Sequence, residues 1–171
     1  IIYYRTHLYN NKEVLTYLHE KRKLTDATIE TFGLGYAPHG YDNLLKHFIP
    51  KSFTEQELID AGMLSVRDTD TSISSPLGTP RHSDTRVYDK FRNRVMFPIR
   101  DERGRMAGFG ARILNPDDVP KFLNSPQTAI FDKGRLLYGL DKARKTIRSQ
   151  DQAVIVEGYL DVIALHQAGF S

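Results

Sequence analysis

Cysteine is absent from the 171-residue chain, which removes disulfide frameworks and thiolate zinc sites together and leaves histidine and carboxylate as the strong metal ligands. The six histidines are scattered without metal-ligand spacing, so carboxylates are the better candidates, and the composition fits a reducing cytoplasm. No uninterrupted apolar run approaches the ~20 residues of a membrane span. The opening Ile1 to His7 also lacks the charged-then-apolar layout of a signal peptide. The first residue is isoleucine rather than methionine, so an upstream piece is expected to be missing.

What is present is ordinary globular composition, 40% hydrophobic and 26% charged, enough for one core or two small ones. Charge is segregated along the chain. Arg86 to Arg112 holds eight Lys/Arg against three Asp/Glu, and Lys121 to Arg148 seven against two. The two segments therefore carry +10 in a chain of net charge +3, and the remainder carries −7. Such segregation sets up a local positive field of the kind a polyanion meets. A solvated basic face is the alternative reading of the charge alone.

Asn11 to His19 and Thr25 to Phe32 have apolar residues at helical spacing, with Thr25 as N-cap and Gly33 as stop. Gly33 to Gly40 reads as a glycine-punctuated turn, and Tyr41 to Phe48 as a helix ended by Pro50. Thr54 to Ala61 fits a further helix with a Thr54/Glu57 capping box and Gly62 as its stop. Ser65 to Arg86, rich in Ser, Thr, Asp and Pro, offers little to bury and reads as a mobile surface loop.

Val95 to Ile99 and Arg105 to Ile113 flank Asp101-Glu102-Arg103-Gly104, the sequence of an antiparallel hairpin with a bulged turn. Pro98 has no N–H to donate, so its strand is expected at an edge or with a bulge there. The glycines from Gly104 to Gly110 lie within this hairpin rather than between a strand and a helix, so they do not form a dinucleotide-binding fingerprint. Leu136 to Arg148 is predicted as a helix. Ala153 to Val156 is predicted as a buried strand, and Tyr159 to Gln167 as a helix after it. A βαβ unit needs a returning strand, so the chain is expected to stop inside an α/β domain.

Glu157 follows the apolar run at the edge where open α/β sheets bind ligands. Asp161, four residues on, adds a second carboxylate, and two such groups suit Mg²⁺, which takes oxygen ligands and bridges to phosphates. The other reading of this pair is simple capping of a helix N-terminus. Phe91, Phe97, Phe109 and Phe122 interleave with the basic segments and read either as core or as stacking platforms for bases.

Three stretches carry a resemblance. EGYLDVIAL (Glu157 to Leu165) after AVIV resembles the opening motif of a TOPRIM domain in the form found in bacterial DnaG-type primases. YDKFRNRVMFPIRDERGRMAGFGAR (Tyr88 to Arg112) and PKFLNSPQTAIFDKGRLLYGLDKAR (Pro120 to Arg144) resemble two signature motifs of the same family, in the same order. YLHEKRKLTDATIETFGLGYAPHGYDNLL is similar to the helical start of its polymerase core. The likeness covers about nine-tenths of the chain, and only the Ser65 to Arg86 loop is longer than the family pattern.

The resemblance implies an α+β architecture. A basic subdomain of helices and an antiparallel hairpin spans 1–148, and the first strand and helix of an incomplete TOPRIM α/β domain span 149–171. It implies DNA-directed synthesis of short RNA primers by metal-dependent nucleotidyl transfer, with single-stranded DNA, ribonucleoside triphosphates and the RNA primer as partners. Glu157 is then catalytic, and Glu157 and Asp161 hold Mg²⁺ or Mn²⁺. Arg112, Lys121 and Lys133 match template- or nucleotide-binding positions, with Arg92, Arg94, Arg135 and Asn124 as further candidates, while Thr31 stands where many relatives carry a basic residue.

The family's Asp-x-Asp acids would lie beyond Ser171, so the chain alone is expected to be inactive. Zinc belongs to a separate N-terminal module, and the replicative helicase to a separate C-terminal domain. The expected location is the bacterial cytoplasm at the replication fork. Two rivals are another TOPRIM enzyme, a topoisomerase or nuclease, and a noncatalytic nucleic-acid-binding module.

Overall fold

Capping residues set the helix boundaries in the first third of the computed structural model, which describes residues 1–67 and 87–170. Thr25 accepts from the Thr28 amide and opens α3, which Gly33 ends in the left-handed region at φ 63°. Thr54 and Glu57 form the reciprocal capping box that opens α5. The elements run α1 (Ile2–Tyr9), α2 (Lys12–Thr16) continued by a π turn over Tyr17–Lys21, α3 (Asp26–Phe32), β1 (Gly35–Ala37), α4 (Asn43–Phe48) with a 3₁₀ turn at Ile49–Lys51, and α5 (Glu55–Asp60). After these come β2 (Leu64–Val66), β3 (Val87–Asp89), β4 (Arg94–Arg100), β5 (Met106–Ile113), β6 (Phe122–Asn124), a 3₁₀ turn at Lys133–Arg135, α6 (Leu140–Gln150) and α7 (Tyr159–Gln167).

The main sheet is antiparallel in the order β1-β4-β5-β6, and β2 pairs with β3 separately. Strand β4 is buried along Arg94 to Ile99 because both faces are covered, which is why it reads as a continuous apolar run rather than an alternating one. Met96 packs with Tyr4, Leu44, Phe91 and Phe109 in one cluster, while its neighbours Val95 and Phe97 join Leu18, Ile29, Phe32 and Ile163 in another. Helix α1 lies against β1 at close range: a Cβ on Gly35 would stand 2.6 Å from Tyr4 Cβ, so no larger residue fits between helix and strand.

Fold class is as expected, and several elements differ. Gly33 to Gly40 is not only a turn, since Gly35 to Ala37 pairs with Arg94 to Met96 and is fully buried. Helix α1 has no capping or periodic signal of its own and forms through Tyr3, Tyr4 and Leu8, which are buried against the sheet and the helices. Ser65 and Val66, expected in the loop, pair with Tyr88 and Val87. The remainder of that loop, 68–86, lies outside the described residues.

The hairpin is present with Gly104 at φ 81° in its turn. Strand β4 is interior rather than at an edge. Pro98 is tolerated because it faces Phe109, whose amide and carbonyl both bond Ser125 on the far side. The proline nitrogen therefore points toward the β1 side, past Gly35, where the pairing with Met96 is the last. The register shift falls one residue on, between Ile99 and Arg100.

The largest correction concerns Ala153 to Val156. It is not a buried strand: it pairs with no strand among the described residues, and Val154 and Ile155 are 66% and 84% exposed. β-branched residues favour a strand only where a neighbour takes their ladder bonds and covers their side chains, and nothing among the described residues does so. Helix α7 follows as predicted. No helix among the described residues is long and apolar enough to cross a membrane.

Candidate nucleic-acid and metal site

Two of the predicted cations meet on one aromatic ring. Arg112 on β5 is the register partner of Phe122 on β6, and its guanidinium carbon stands 4.9 Å from that ring's centre. Lys121 Nζ stands 5.7 Å from the same ring. Phe122 is 52% exposed, whereas Phe91, Phe97 and Phe109 are core. This resolves the alternatives for the four phenylalanines: only Phe122 offers a face to solvent, flanked by positive charge. Arg112 Nε is buried with no hydrogen-bond partner among the described residues.

Beside this edge lies a cleft of about 350 Å³ between the β1–α4 connection, β3, the start of β4 and Asp118 to Pro120. Arg92 stands on its wall between two tyrosine rings, 4.7 Å from Tyr41 and 5.2 Å from Tyr88, and donates to the Asp89 carbonyl. Arg94 is buried and donates from Nη1 to the Pro120 carbonyl at 2.7 Å. It thereby ties the β5–β6 connection to β4. Burial pulls its guanidinium down from the ordinary value, and Asp118 acts in the opposite sense. The Lys90 ammonium is likewise lowered by burial.

His39, Tyr41, Tyr88, Lys90 and Asn93 line this cleft and were not singled out from sequence. The basic count over Arg86 to Arg112 already contained Lys90, but no local pattern joins Tyr41 to Tyr88. Asp89 was also missed. It is buried, and its carboxylate accepts from the Leu44 amide at the start of α4. Burial pushes it up to about 6, against the lowering effect of the helix amides and Arg92.

The remaining candidates are dispersed. Lys133 and Arg135 sit on an exposed 3₁₀ turn capped by Asp132, which accepts from the Gly134 amide at 2.9 Å and pairs with Arg135 at 3.6 Å. Neither lines the cleft. Asn124 ends β6 and accepts from the Tyr159 hydroxyl at 2.7 Å. The Tyr159 ring covers Gly110, where an added Cβ would stand 2.2 Å from Cε2. Helix α7 is thus docked on the β5–β6 edge, with Ile163 fully buried beneath it.

Glu157 is exposed just ahead of α7, and Asp161 Oδ2 accepts from the Gly158 amide at 3.0 Å. The capping reading of Asp161 is therefore realised for one of its oxygens, leaving the other for a ligand. Among the described residues no group of three or more His, Cys, Asp or Glu side chains is gathered as a metal site. Mg²⁺ keeps waters and shares substrate phosphates, so a site for it needs only one or two protein carboxylates rather than an all-protein cage.

Comparison with known proteins supplies the context. Residues 3–144 match the family model described as DNA primase catalytic core, N-terminal domain. The DNA primase of Deinococcus radiodurans is 49% identical over 169 residues, 99% of this chain and 26% of that protein. That of Escherichia coli K12 is 48% identical over 152 residues, covering 89% and 23%. The chain thus spans about a quarter of the length of these relatives.

Among solved structures, the DnaG primase catalytic domain bound to ssDNA aligns with a TM-score of 0.78 at 44% identity, over 99% of this chain and 48% of that one. The RNA polymerase domain of Mycobacterium tuberculosis primase DnaG, in complex with double-stranded DNA carrying a 6-nucleotide overhang, gives 0.81 at 35%, over 99% and 49%. The Aquifex aeolicus primase, solved with its zinc-binding and RNA polymerase domains, gives 0.81 at 32%, over 99% and 38%.

Proposed function

Because this chain belongs to the DnaG family of DNA primases through the N-terminal domain of their catalytic core, we propose that it forms the template-holding part of an enzyme that copies single-stranded DNA into short RNA primers. The observation that carries the reading is a junction. Tyr159, two residues after Glu157, donates to Asn124, two residues after the Phe122 ring that Arg112 and Lys121 approach. One hydrogen bond ties a cation-flanked aromatic edge to the segment bearing the candidate acid.

In this reading residues 1–148 are the basic subdomain and 149–171 begin a TOPRIM subdomain, whose further strands would cover the exposed Ala153 to Val156 run. Arg112 and Lys121 hold template or nucleotide phosphate, Arg112 through its guanidinium fork and Lys121 as a point charge. Phe122 offers a stacking face to a base. Lys133 and Arg135 extend the positive surface, and Arg92, between Tyr41 and Tyr88, prolongs it into the cleft. Arg94 acts through the loop it holds.

Glu157 and Asp161 hold Mg²⁺ or Mn²⁺, which when bound neutralises charge on the triphosphate and favours the attacking 3′-hydroxyl. The chain's own contribution is to hold Asp161 on a docked helix and Glu157 just ahead of it, and to bind phosphate. Ribonucleoside triphosphates, the growing primer, a replicative helicase engaged through another domain, and zinc in a separate module complete the proposed enzyme. Its location is the bacterial cytoplasm.

Primer synthesis by a chain extended through the rest of the catalytic domain tests the reading. Template-directed, Mg²⁺-dependent incorporation that Glu157→Gln abolishes is the expected result. Undiminished incorporation by that variant removes Glu157 from the mechanism. DNA binding without any incorporation favours the noncatalytic module.

A further inference from the structure

Helix α7 is held at both ends, and the second hold has no part in the phosphate and metal site. At its C-terminal end the Gln167 side chain grips the turn ahead of α3: Nε2 donates to the Lys23 carbonyl at 2.8 Å and Oε1 accepts from the Thr25 amide at 2.9 Å. Both partners are backbone groups, 144 and 142 positions away in sequence. Lys23 itself has left-handed backbone at φ 56°, a conformation that fixes where its carbonyl points. A primary amide can donate to a carbonyl and accept from an N–H at once, so the two bonds together set the direction of the side chain as well as its reach.

Between the two ends the contacts are apolar. Ile163 is fully buried and His166 meets Phe32 edge-on at 5.1 Å. Apolar packing of this kind is non-directional and fixes the depth of α7 better than its rotation. Rotation is what decides where the start of the helix aims Glu157 and Asp161. Among the described residues, the side-chain hydrogen bonds that join α7 to the rest of the fold are the Tyr159–Asn124 bond at one end and the Gln167 clamp at the other.

We propose that Gln167 is a positioning residue for Glu157, acting along α7, whose eight residue steps from Gln167 back to Tyr159 span about 12 Å at ~1.5 Å each and end two residues after Glu157. The proposal rests on the reading that Glu157 holds the metal. Gln167 touches neither acid. It helps set the helix that carries Asp161 and follows directly on Glu157.

The test uses the chain extended through the rest of the catalytic domain and compares wild type, Gln167→Ala, Gln167→Glu and Glu157→Gln. Primer synthesis is followed as Mg²⁺ is titrated, Mn²⁺ affinity by electron paramagnetic resonance, and single-stranded DNA affinity and thermal unfolding in parallel. Gln167→Ala is expected to raise the Mg²⁺ half-saturation point and weaken Mn²⁺ binding by roughly tenfold, with DNA affinity unchanged. Gln167→Glu, which keeps the acceptor for Thr25 but loses the donor to Lys23, falls between. Wild-type metal dependence in Gln167→Ala overturns the proposal, as does a loss of DNA affinity and of unfolding temperature in proportion to the loss of activity. Full activity in Glu157→Gln instead overturns the reading of Glu157, whatever Gln167 does.

Discussion

Asp89 on β3 accepts the Leu44 amide with both carboxylate oxygens, at 3.2 and 3.0 Å, and so caps α4 from across the fold. The same residue donates its own amide to the Tyr41 carbonyl at 2.7 Å and takes the Arg92 guanidinium on its carbonyl. One buried acid thereby holds both the helix and two residues of the cleft wall.

Its titration gives a prediction with a definite sign. The folded value, about 6, lies above the ordinary 3.8, so the protonated form is the one favoured by folding. The associated stability is fully present below pH 3.8 and is lost as pH rises through 6. Asp89→Asn keeps an acceptor for Leu44 and cannot ionise. In urea unfolding at about pH 4.5 and about pH 7.5, on either side of the folded value, wild type is expected to lose stability relative to Asp89→Asn on going to the higher pH. Asp89→Ala loses the cap at both, at a cost of about 1 kcal/mol. A difference between wild type and Asp89→Asn that does not change with pH contradicts the assignment.

DNA binding divides into charge and stacking. The double substitution Lys121→Ala, Lys133→Ala removes two exposed cations and is expected to lower the slope of log affinity against log salt by roughly 0.7 for each phosphate of a single strand that is no longer neutralised. Phe122→Ala is expected to leave that slope alone and to cost about 1–3 kcal/mol for a stacked base. Titrations of a short single-stranded DNA at several salt concentrations separate the two effects.

Docking of α7 is sensitive to volume at Gly110. A methyl there would stand 2.2 Å from the Tyr159 ring, so Gly110→Ala is expected to destabilise by about 1–3 kcal/mol through overpacking. Tyr159→Phe removes only the hydroxyl that Asn124 accepts and is expected to cost about 0.5–1.5 kcal/mol. Denaturant midpoints rank the two. A Tyr159→Phe loss as large as that of Gly110→Ala would mean that the hydrogen bond, not the ring, seats the helix.

Tyr4 offers the opposite sign. Its hydroxyl is buried with no partner among the described residues, while its ring packs edge-on to Phe109 at 5.4 Å. Tyr4→Phe keeps the ring and removes an unsatisfied donor, and is expected to raise the unfolding temperature, because a buried polar group without a partner costs about 1–3 kcal/mol. A lowered temperature in calorimetry would show that the hydroxyl is bonded in solution.

Local signals were the legible part of this fold. Thr25, Gly33, Thr54 and Glu57 marked helix ends because capping is decided within a single helical turn, and the hairpin was readable because its turn and both strands are contiguous in sequence. The short strand β1 was hidden by its glycine and exists through pairing with Arg94 to Met96, far along the chain. The Tyr41–Arg92–Tyr88 arrangement was illegible for the same reason. The Ala153 to Val156 run failed in the other direction: its composition is that of a strand, but composition supplies no neighbour. Arg112 and Lys121 came from motif resemblance, and Phe122, one candidate among four aromatics, could be singled out only once burial was known.

The pairing of β2 with β3 has a consequence for how such chains can vary. Leu64 to Val66 and Val87 to Asp89 close a neck, with residues 67–86 between them in sequence. The entropy of closing a loop grows only with the logarithm of its length, so doubling that segment would cost about 0.6 kcal/mol. The pairing at the neck sets the register of Tyr88 and Asp89 against Ser65 and Leu64. While β2 and β3 stay paired, a change of length beyond Arg67, which stacks on Tyr41 and Tyr88, is therefore expected to leave the cleft beside it as it was.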